Sequence, residues 1–146
     1  IANESGIKTI YDPGPPSKYE NFDFLKFVDF LTPNKHEAEF ILGKKIDGFE
    51  LEAARELKKI GANHVIITLG SEGLVYSGDF DQIFKPIKVN SVDPVGSGDC
   101  FNGALASMIN KGEDILNSIN FAQRAAAFST TKKGASQSFP FLNEIK

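Results

Sequence analysis

The sequence has little of several things that mark common protein classes. Its single cysteine, Cys100, excludes an internal disulfide and favours a reducing, cytoplasmic location. No apolar run reaches the ~20 residues that a membrane-spanning helix needs. The 16 basic side chains are outnumbered by 19 acidic ones, and a net charge of -3 provides no positive field to attract nucleic acid or a membrane surface. We therefore expect neither nucleic acid nor a membrane as a partner.

Two common nucleotide-binding motifs are also missing. The sequence contains neither the Gly-x-x-x-x-Gly-Lys-Ser/Thr loop nor the Gly-x-Gly-x-x-Gly fingerprint. Their absence argues against a P-loop enzyme and against a dinucleotide-binding domain. Any phosphate that the protein binds must therefore be held by a different local arrangement.

The composition that is present is typical of a globular domain. Of 146 residues, 41% are hydrophobic and 24% are charged, which argues against a disordered or collagen-like segment. The chain begins at Ile1, without an initiator Met and without the basic and apolar segments of a signal peptide. We expect it to be part of a longer protein.

Strand-like and helix-like segments alternate along the chain, which predicts an α/β fold. Two short apolar runs, followed by Thr32-Pro33 and by Gly70, have the pattern of strands that are covered on both faces. A turn at Ser77-Gly78-Asp79 predicts a late antiparallel hairpin. The predicted strands are 8–11, 27–31 and 64–69, the hairpin pairs 74–76 with 82–85, and the predicted helices are 34–43, 50–60, one that begins next to Gly98 and closes at 111–112, and 115–131.

The segment 93–102 carries the most chemical information. Gly96 and Gly98 flank Ser97 where a helix must begin, so the backbone can approach a ligand closely and present free N–H groups at the positive end of the helix dipole. Asp99 follows in the first turn, where a carboxylate could accept a proton from an attacking hydroxyl. An ordinary helix start with an acidic first turn explains the same residues. Both interpretations remain open on spacing alone.

Two further clusters follow predicted strands. Asn34 and Glu37 have the spacing of a capping box, which by itself explains both residues. The functional alternative is that they reach phosphate oxygens, a metal-bound water or Mg²⁺. The segment 68–73 contains two glycines and two hydroxyl side chains, and it either binds a nucleotide or only turns the chain toward the hairpin.

In this order, the segments 32–39, 67–73 and 93–103, together with 133–135, resemble the ribokinase (PfkB) family of carbohydrate kinases. The likeness covers essentially the whole chain and is to the carboxyl-terminal half of such kinases. It implies a ribokinase-like layered fold, with a mostly parallel sheet flanked by helices and a late antiparallel hairpin. Residues 1–146 would form a partial domain that carries the ATP site and the catalytic base, without the amino-terminal sugar-binding and lid half.

The resemblance also implies roles for individual residues. Asp99 would be the catalytic base, and Gly96, Ser97 and Gly98 would form the anion hole for the transferred phosphate. Asn34 and Glu37 would position phosphate and, indirectly, Mg²⁺. The ATP site would be lined by Thr68, Gly70, Ser71, Glu72, Gly73 and, near adenine, Gln123. A K⁺ site built largely from backbone carbonyls would involve Asp93, Val95, Ser129, Lys132, Gly134 and Ser138, although Pro94 replaces the Thr that is common in this motif.

The implied activity is ATP-dependent phosphorylation of a sugar hydroxyl, with ATP, Mg²⁺ and K⁺ as the cofactors. Ribose, fructose and 2-keto-3-deoxygluconate are the candidate acceptors, and a homodimer of the full-length protein is compatible with the family. The isolated fragment is expected to phosphorylate little. Two alternatives stay open: a nucleotide-binding domain without turnover, and a nucleoside or vitamin-precursor kinase of the same superfamily.

Overall fold

The computed structural model describes residues 2–15 and 21–145. The chain divides into two compact units, Ile1–Pro86 and Ile87–Lys146. The predicted helices and the hairpin are present, and each unit is described by itself below. Within the described ranges, no helix has both the length and the hydropathy that crossing a membrane requires.

The first unit contains a five-stranded mixed sheet with the strands in chain order. The first three strands pair in parallel, and the fourth and fifth extend the sheet as an antiparallel hairpin. The predicted α/β fold with a late hairpin is therefore confirmed. The strands are β1 (Ile10–Tyr11), β2 (Phe30–Leu31), β3 (His64–Thr68), β4 (Leu74–Ser77) and β5 (Asp81–Phe84).

The strand predicted over 27–31 is shorter in the structure, because the chain forms a 3₁₀-helix over Asp23–Phe27 before β2 begins. Leu25 is fully buried, whereas Phe27 is 59% exposed. The apolar residues before β2 therefore belong to two different backbone conformations. Periodicity in a short run cannot separate these conformations.

Two helices cover one face of this sheet, α1 (Lys35–Leu42) and α2 (Glu50–Ile60). α1 ends at Gly43, which has the left-handed conformation expected of a helix-terminating glycine. The helices and strands bury a common apolar core that includes Leu25, Leu31, Ala38, Ile46, Ala54, Leu57, Val65, Ile67 and Val75. This core fixes the strand ends from which the candidate site is built.

Three aromatic side chains on the neighbouring strands β2, β3 and β4 stack on one another. The imidazole of His64 stacks on Phe30 with ring centroids 4.6 Å apart, and it stacks on Tyr76 at 6.0 Å. Its Nδ1 atom is 2.9 Å from the hydroxyl oxygen of Tyr76, which is fully buried. Burial lowers the pKa of His64, as do the positive charges of the nearby lysines; two carboxylates oppose this shift. These charged groups are Lys8, Lys58, Asp29 and Asp79.

We expect the stability of the first unit to fall when the pH is lowered through the titration range of histidine. The folded state favours the neutral imidazole of His64, while the unfolded chain takes up a proton near pH ~6.5. Stability should be constant above that pH and should decrease below it. Urea unfolding between about pH 7.5 and about pH 5.5 measures the effect. His64→Gln should flatten the dependence and His36→Gln, at a side chain that is 89% exposed, should not; equal wild-type stability across the range would contradict the prediction.

The second unit is built on two helices that pack against each other, α3 (Ser97–Asn110) and α4 (Ile115–Ser129). The side chain of Asp114 accepts a hydrogen bond from the Asn117 N–H and so caps α4. Leu105 of α3 and Ile119 and Ala122 of α4 are fully buried. After α4 the chain makes two short 3₁₀ turns, Ser136–Ser138 and Leu142–Glu144.

Candidate functional site

The carboxyl ends of the parallel strands bring three polar residues to one edge of the sheet. Asp12 follows β1, Asn34 follows β2 by a short turn, and Thr68 ends β3. Asn34 and Thr68 form an isolated parallel bridge, and the Thr68 N–H donates to the Pro33 carbonyl at 3.0 Å. In open α/β sheets, ligands bind outside the carboxyl ends of the strands. The structure thus places two of the predicted site residues, Asn34 and Thr68, side by side.

Asn34 and Glu37 form a complete capping box at the start of α1. The Glu37 N–H donates to Asn34 Oδ1 at 3.0 Å, and the Asn34 N–H donates to Glu37 Oε2 at 2.7 Å. The capping interpretation of the sequence is therefore confirmed. The side chain of Asn34 is exposed and accessible to a ligand, whereas Glu37 is largely buried.

The carboxyl group of Glu37 lies in an unusual electrostatic setting. Burial, with 9% of the residue exposed, raises its pKa, and the negative charge of Asp12 raises the pKa further. The hydrogen bonds from Asn34 oppose this shift. The charge of Asp12 therefore disfavours ionisation of the Glu37 carboxyl group, and a bound cation would offset this repulsion.

Asp12 is a candidate residue that the sequence analysis missed. Its segment, with prolines at 13, 15 and 16, reads as the end of a strand, and its carboxylate accepts the Gly14 N–H at 3.2 Å. The signal that could have identified it is an acid directly after one parallel strand, combined with the polar Asn34 shortly after the neighbouring strand β2.

The carboxyl groups at this edge of the sheet could provide only part of the ligands that a magnesium ion needs. Proteins bind Mg²⁺ through one or two carboxylates together with waters and substrate phosphates. Asp12 and Glu37 supply two carboxylates. Over the residues that the structure describes, no group of three or more His, Cys, Asp or Glu side chains could hold a metal ion. A magnesium ion would accordingly need phosphate oxygens to complete its coordination.

The loop after β3 contains residues of two kinds. Gly70, Ser71 and Glu72 form an exposed 3₁₀ turn and are accessible to a ligand. Gly73 is buried with φ +99°, and a Cβ there would overlap the carbonyl oxygen of Phe84. Packing against β5 therefore explains why position 73 is glycine.

The amino-terminal end of α3 has the form expected of an anion hole. Gly96 is its N-cap residue, with φ +78°, and supplies no side-chain acceptor to the first turn. Ser97 is the first helical residue, and its N–H donates to the Pro94 carbonyl at 3.2 Å. The N–H groups of Gly98 and Asp99 lie in the first turn of the helix, where backbone donors have no intrahelical acceptor. These donors and the helix dipole together favour an anion.

Asp99 occupies the third position of α3 and is exposed. Its carboxylate is thus carried by the same turn that presents the N–H donors. A phosphoryl group bound by those donors and a hydroxyl directed at it would place this carboxylate within reach of the hydroxyl proton. Gln123 lies in α4 and is partly buried; its role near adenine stays a prediction.

Three of the residues predicted to bind K⁺ are in contact in the structure. The Asp93 carboxylate accepts the N–H groups of Val95 at 3.1 Å and Gly134 at 3.0 Å. Ser129 and Ser138 are buried and donate their hydroxyl protons to the carbonyls of Ala126 and Ala135, and the Lys132 ammonium pairs with Glu144. Since these side chains have protein partners, the predicted cation site would depend on backbone carbonyls.

Comparison with known proteins gives a consistent family assignment. The pfkB family carbohydrate kinase model matches residues 1–142. The chain is 38% identical over 147 residues to the ribokinase of Lactococcus lactis, covering 100% of this chain and 46% of that protein. It is similar to the crystal structure of Thermotoga maritima ribokinase (32% identity, TM-score 0.88, covering 99% of this chain and 49% of that one). It is also similar to Arabidopsis thaliana ribokinase complexed with ribose and ATP (27% identity, TM-score 0.89, covering 97% and 47%).

The chain spans about half the length of the relatives that it matches. Its correspondence with their carboxyl-terminal half stays a prediction, as do the roles of the individual site residues. The predicted ribokinase-like fold is confirmed by the likeness to the solved structures. On the family match, which extends over almost all of its residues, the chain belongs to the pfkB family of carbohydrate kinases.

Proposed function

We propose that the protein containing this chain transfers the terminal phosphoryl group of ATP to a sugar hydroxyl. One observation carries the proposal: α3 begins at a glycine N-cap without a side-chain acceptor, and Asp99 lies exposed in the same turn. This turn combines donors for a phosphoryl group with a base for the acceptor hydroxyl. Ribose is the proposed acceptor because the relatives described above are ribokinases.

The reaction assigns distinct tasks to the residues of this turn. The N–H groups of Gly98 and Asp99 donate to the oxygens of the transferred phosphoryl group and stabilise its charge. The Asp99 carboxylate orients the sugar hydroxyl and accepts its proton. The bond between the sugar oxygen and phosphorus forms, the bond between phosphorus and the bridging oxygen breaks, and ADP leaves with the electron pair.

The edge of the sheet in the first unit has a different task in this proposal. Asp12 and Glu37 would hold magnesium, and the Asn34 amide would donate to a phosphate oxygen. When bound, Mg²⁺ neutralises charge on the phosphate oxygens. The exposed turn of Gly70, Ser71 and Glu72 would contact the nucleotide.

Glu37→Gln should raise the Mg²⁺ concentration needed for half-maximal activity about tenfold, with a smaller effect on kcat. The glutamine oxygen can still accept the Asn34 N–H, so α1 keeps its cap, while the negative charge beside Asp12 is lost. The measurement is a magnesium titration of the full-length enzyme at saturating ATP. Glu52→Gln, at an exposed position of α2, is the matched control and should behave as wild type; an unchanged titration of Glu37→Gln would contradict the role.

The proposed activity is tested on the full-length protein with ATP and Mg²⁺ against ribose, fructose, 2-keto-3-deoxygluconate and nucleosides. ADP formation that depends on ribose, with a phosphorylated sugar as the product, is the expected result. Turnover restricted to nucleosides would move the assignment to a nucleoside kinase. ATP binding without turnover on any acceptor would favour the non-catalytic domain.

A further inference from the structure

The last strand of the sheet, β5, has an open edge. Among the residues that the structure describes, β5 is the outermost strand and pairs with β4 alone. Ile83 of β5 is 60% exposed, although it lies opposite Val75, which belongs to the buried core. An edge strand that carries an exposed apolar residue is a template for pairing with another strand.

The hydrogen bonds of the hairpin show which backbone groups of β5 face the open edge. In an antiparallel pair, opposite residues alternate between those that exchange hydrogen bonds and those that do not. The Gly78 N–H donates to the Phe80 carbonyl at 3.1 Å. In the continuing register Gln82 therefore bonds to β4, whereas the backbone groups of Asp81 and Ile83 point away from it. The Gln82 side-chain amide donates to the Ile83 carbonyl at 2.9 Å, which agrees with an outward direction of that carbonyl.

The charges along this edge are arranged symmetrically about Ile83. Asp81 lies two residues before it and Lys85 two residues after it, so the three side chains belong to one face of the strand. This face carries α2, because Arg55 Nε donates to Asp81 Oδ2 at 2.7 Å. A carboxylate has about four acceptor positions, so the bonds from Arg55 and Ser77 leave room at Asp81 for a second cation.

A second copy of β5 matches this edge in both hydrogen bonding and charge. If two β5 strands pair antiparallel about a two-fold axis at Ile83, each Ile83 lies opposite its counterpart, and each Asp81 lies opposite Lys85 of the other copy. Opposite residues then exchange N–H···O=C bonds, with Cα atoms about 5.5 Å apart. The two Ile83 side chains meet on one face and bury apolar surface, and both charge pairs are attractive.

We propose that β5 is an interaction surface for a second copy of this chain, and that the two strands pair antiparallel about Ile83 to form one continuous sheet. This inference goes beyond the proposed kinase function and does not depend on it. The paired segment is short, so the association should be weak, with a dissociation constant on the order of 10–100 μM.

Sedimentation equilibrium of the full-length protein tests the charge pairs. The wild-type mass should double as the concentration rises through the range of about 1–300 μM. Asp81→Lys and Lys85→Asp each place like charges opposite each other twice and should weaken association about tenfold or more. An equimolar mixture of these two variants should associate as the wild type does, because each variant then meets opposite charges. Glu113→Lys makes the same charge change at an exposed position of the second unit and should behave as wild type.

Amide hydrogen exchange tests the same surface without a substitution. The Ile83 N–H faces the open edge, so its exchange should slow as the protein concentration rises. The Gln82 N–H is bonded to β4 in every copy and should exchange at the same rate at all concentrations. A constant wild-type mass or a constant Ile83 exchange rate overturns the proposal. Equal association of the wild type and both charge variants, or a mixture of the variants that fails to associate, overturns it as well.

Discussion

Asp99→Asn is expected to lower kcat by about 100- to 10,000-fold, because general base catalysis contributes rate factors of that size. The asparagine amide has nearly the same volume as the carboxylate but cannot accept the hydroxyl proton. The backbone N–H groups of the first turn of α3 are unaffected, so the phosphoryl group keeps its donors. The loss should therefore appear in kcat, with the dissociation constant for ATP within about threefold of the wild-type value.

Initial rates with saturating ATP and sugar, together with calorimetric titration of ATP, measure this effect on the full-length enzyme. Glu113→Gln removes one negative charge from the exposed connection between α3 and α4 and serves as the control. It should have wild-type kcat. Near-normal turnover of Asp99→Asn would refute the assignment of Asp99 as the base, whatever the other residues of the turn do.

Gly73→Ala is expected to lower the free energy of unfolding by about 2–5 kcal/mol, which combines the cost of overpacking with that of a left-handed backbone for alanine. Gly73 has φ +99°, and its Cβ would overlap the Phe84 carbonyl oxygen and lie 3.0 Å from the Pro86 nitrogen. Both obstacles are backbone atoms, which cannot move aside as a flexible side chain could. The hairpin of β4 and β5 would have to shift.

Gly70→Ala is the matched control, since Gly70 lies in the same loop with φ +58° and a Cβ there would meet nothing within 4 Å. It should cost about 1–2 kcal/mol, the backbone contribution alone. Urea unfolding of both variants measures the difference. Equal losses for the two substitutions would show that close packing is not what requires glycine at position 73.

The features that the sequence predicted well are those with local causes. The bounds of α2 follow from an apolar stripe with Leu51, Ala54 and Leu57 at three-residue steps and from Gly61 after its last turn. The start of α1 follows from the spacing of Asn34 and Glu37. In both helices the residues that predict a boundary lie within four residues of that boundary along the chain. Contacts with distant residues were therefore not needed to predict it.

The features that the sequence did not predict depend on contacts between distant residues. Nothing near Asp12 indicates that its charge acts on Glu37, because the two are related only through the pairing of β1 with β2. The same holds for Asp93 and Gly134, which lie 41 residues apart. Gly73 lies in a loop whose composition is typical of a ligand-binding loop. Only its close approach to the backbone of β5 shows that packing requires a glycine at this position.

The capping box of α1 has a consequence for recognising active members of this family. Asn34 and Glu37 satisfy each other's backbone groups and so stabilise α1 whether or not a nucleotide binds. In a homologous protein that had lost its catalytic activity, this pair would still stabilise the helix. Because of that stabilisation, mutations that remove the pair would accumulate slowly. Asp99 is exposed and forms no capping hydrogen bond in its turn, so without turnover the fold gains from this acid only the weak interaction of its charge with the helix dipole. The acid of the Gly-x-Gly-Asp segment should therefore be a better marker of a working kinase than the Asn-x-x-Glu pair.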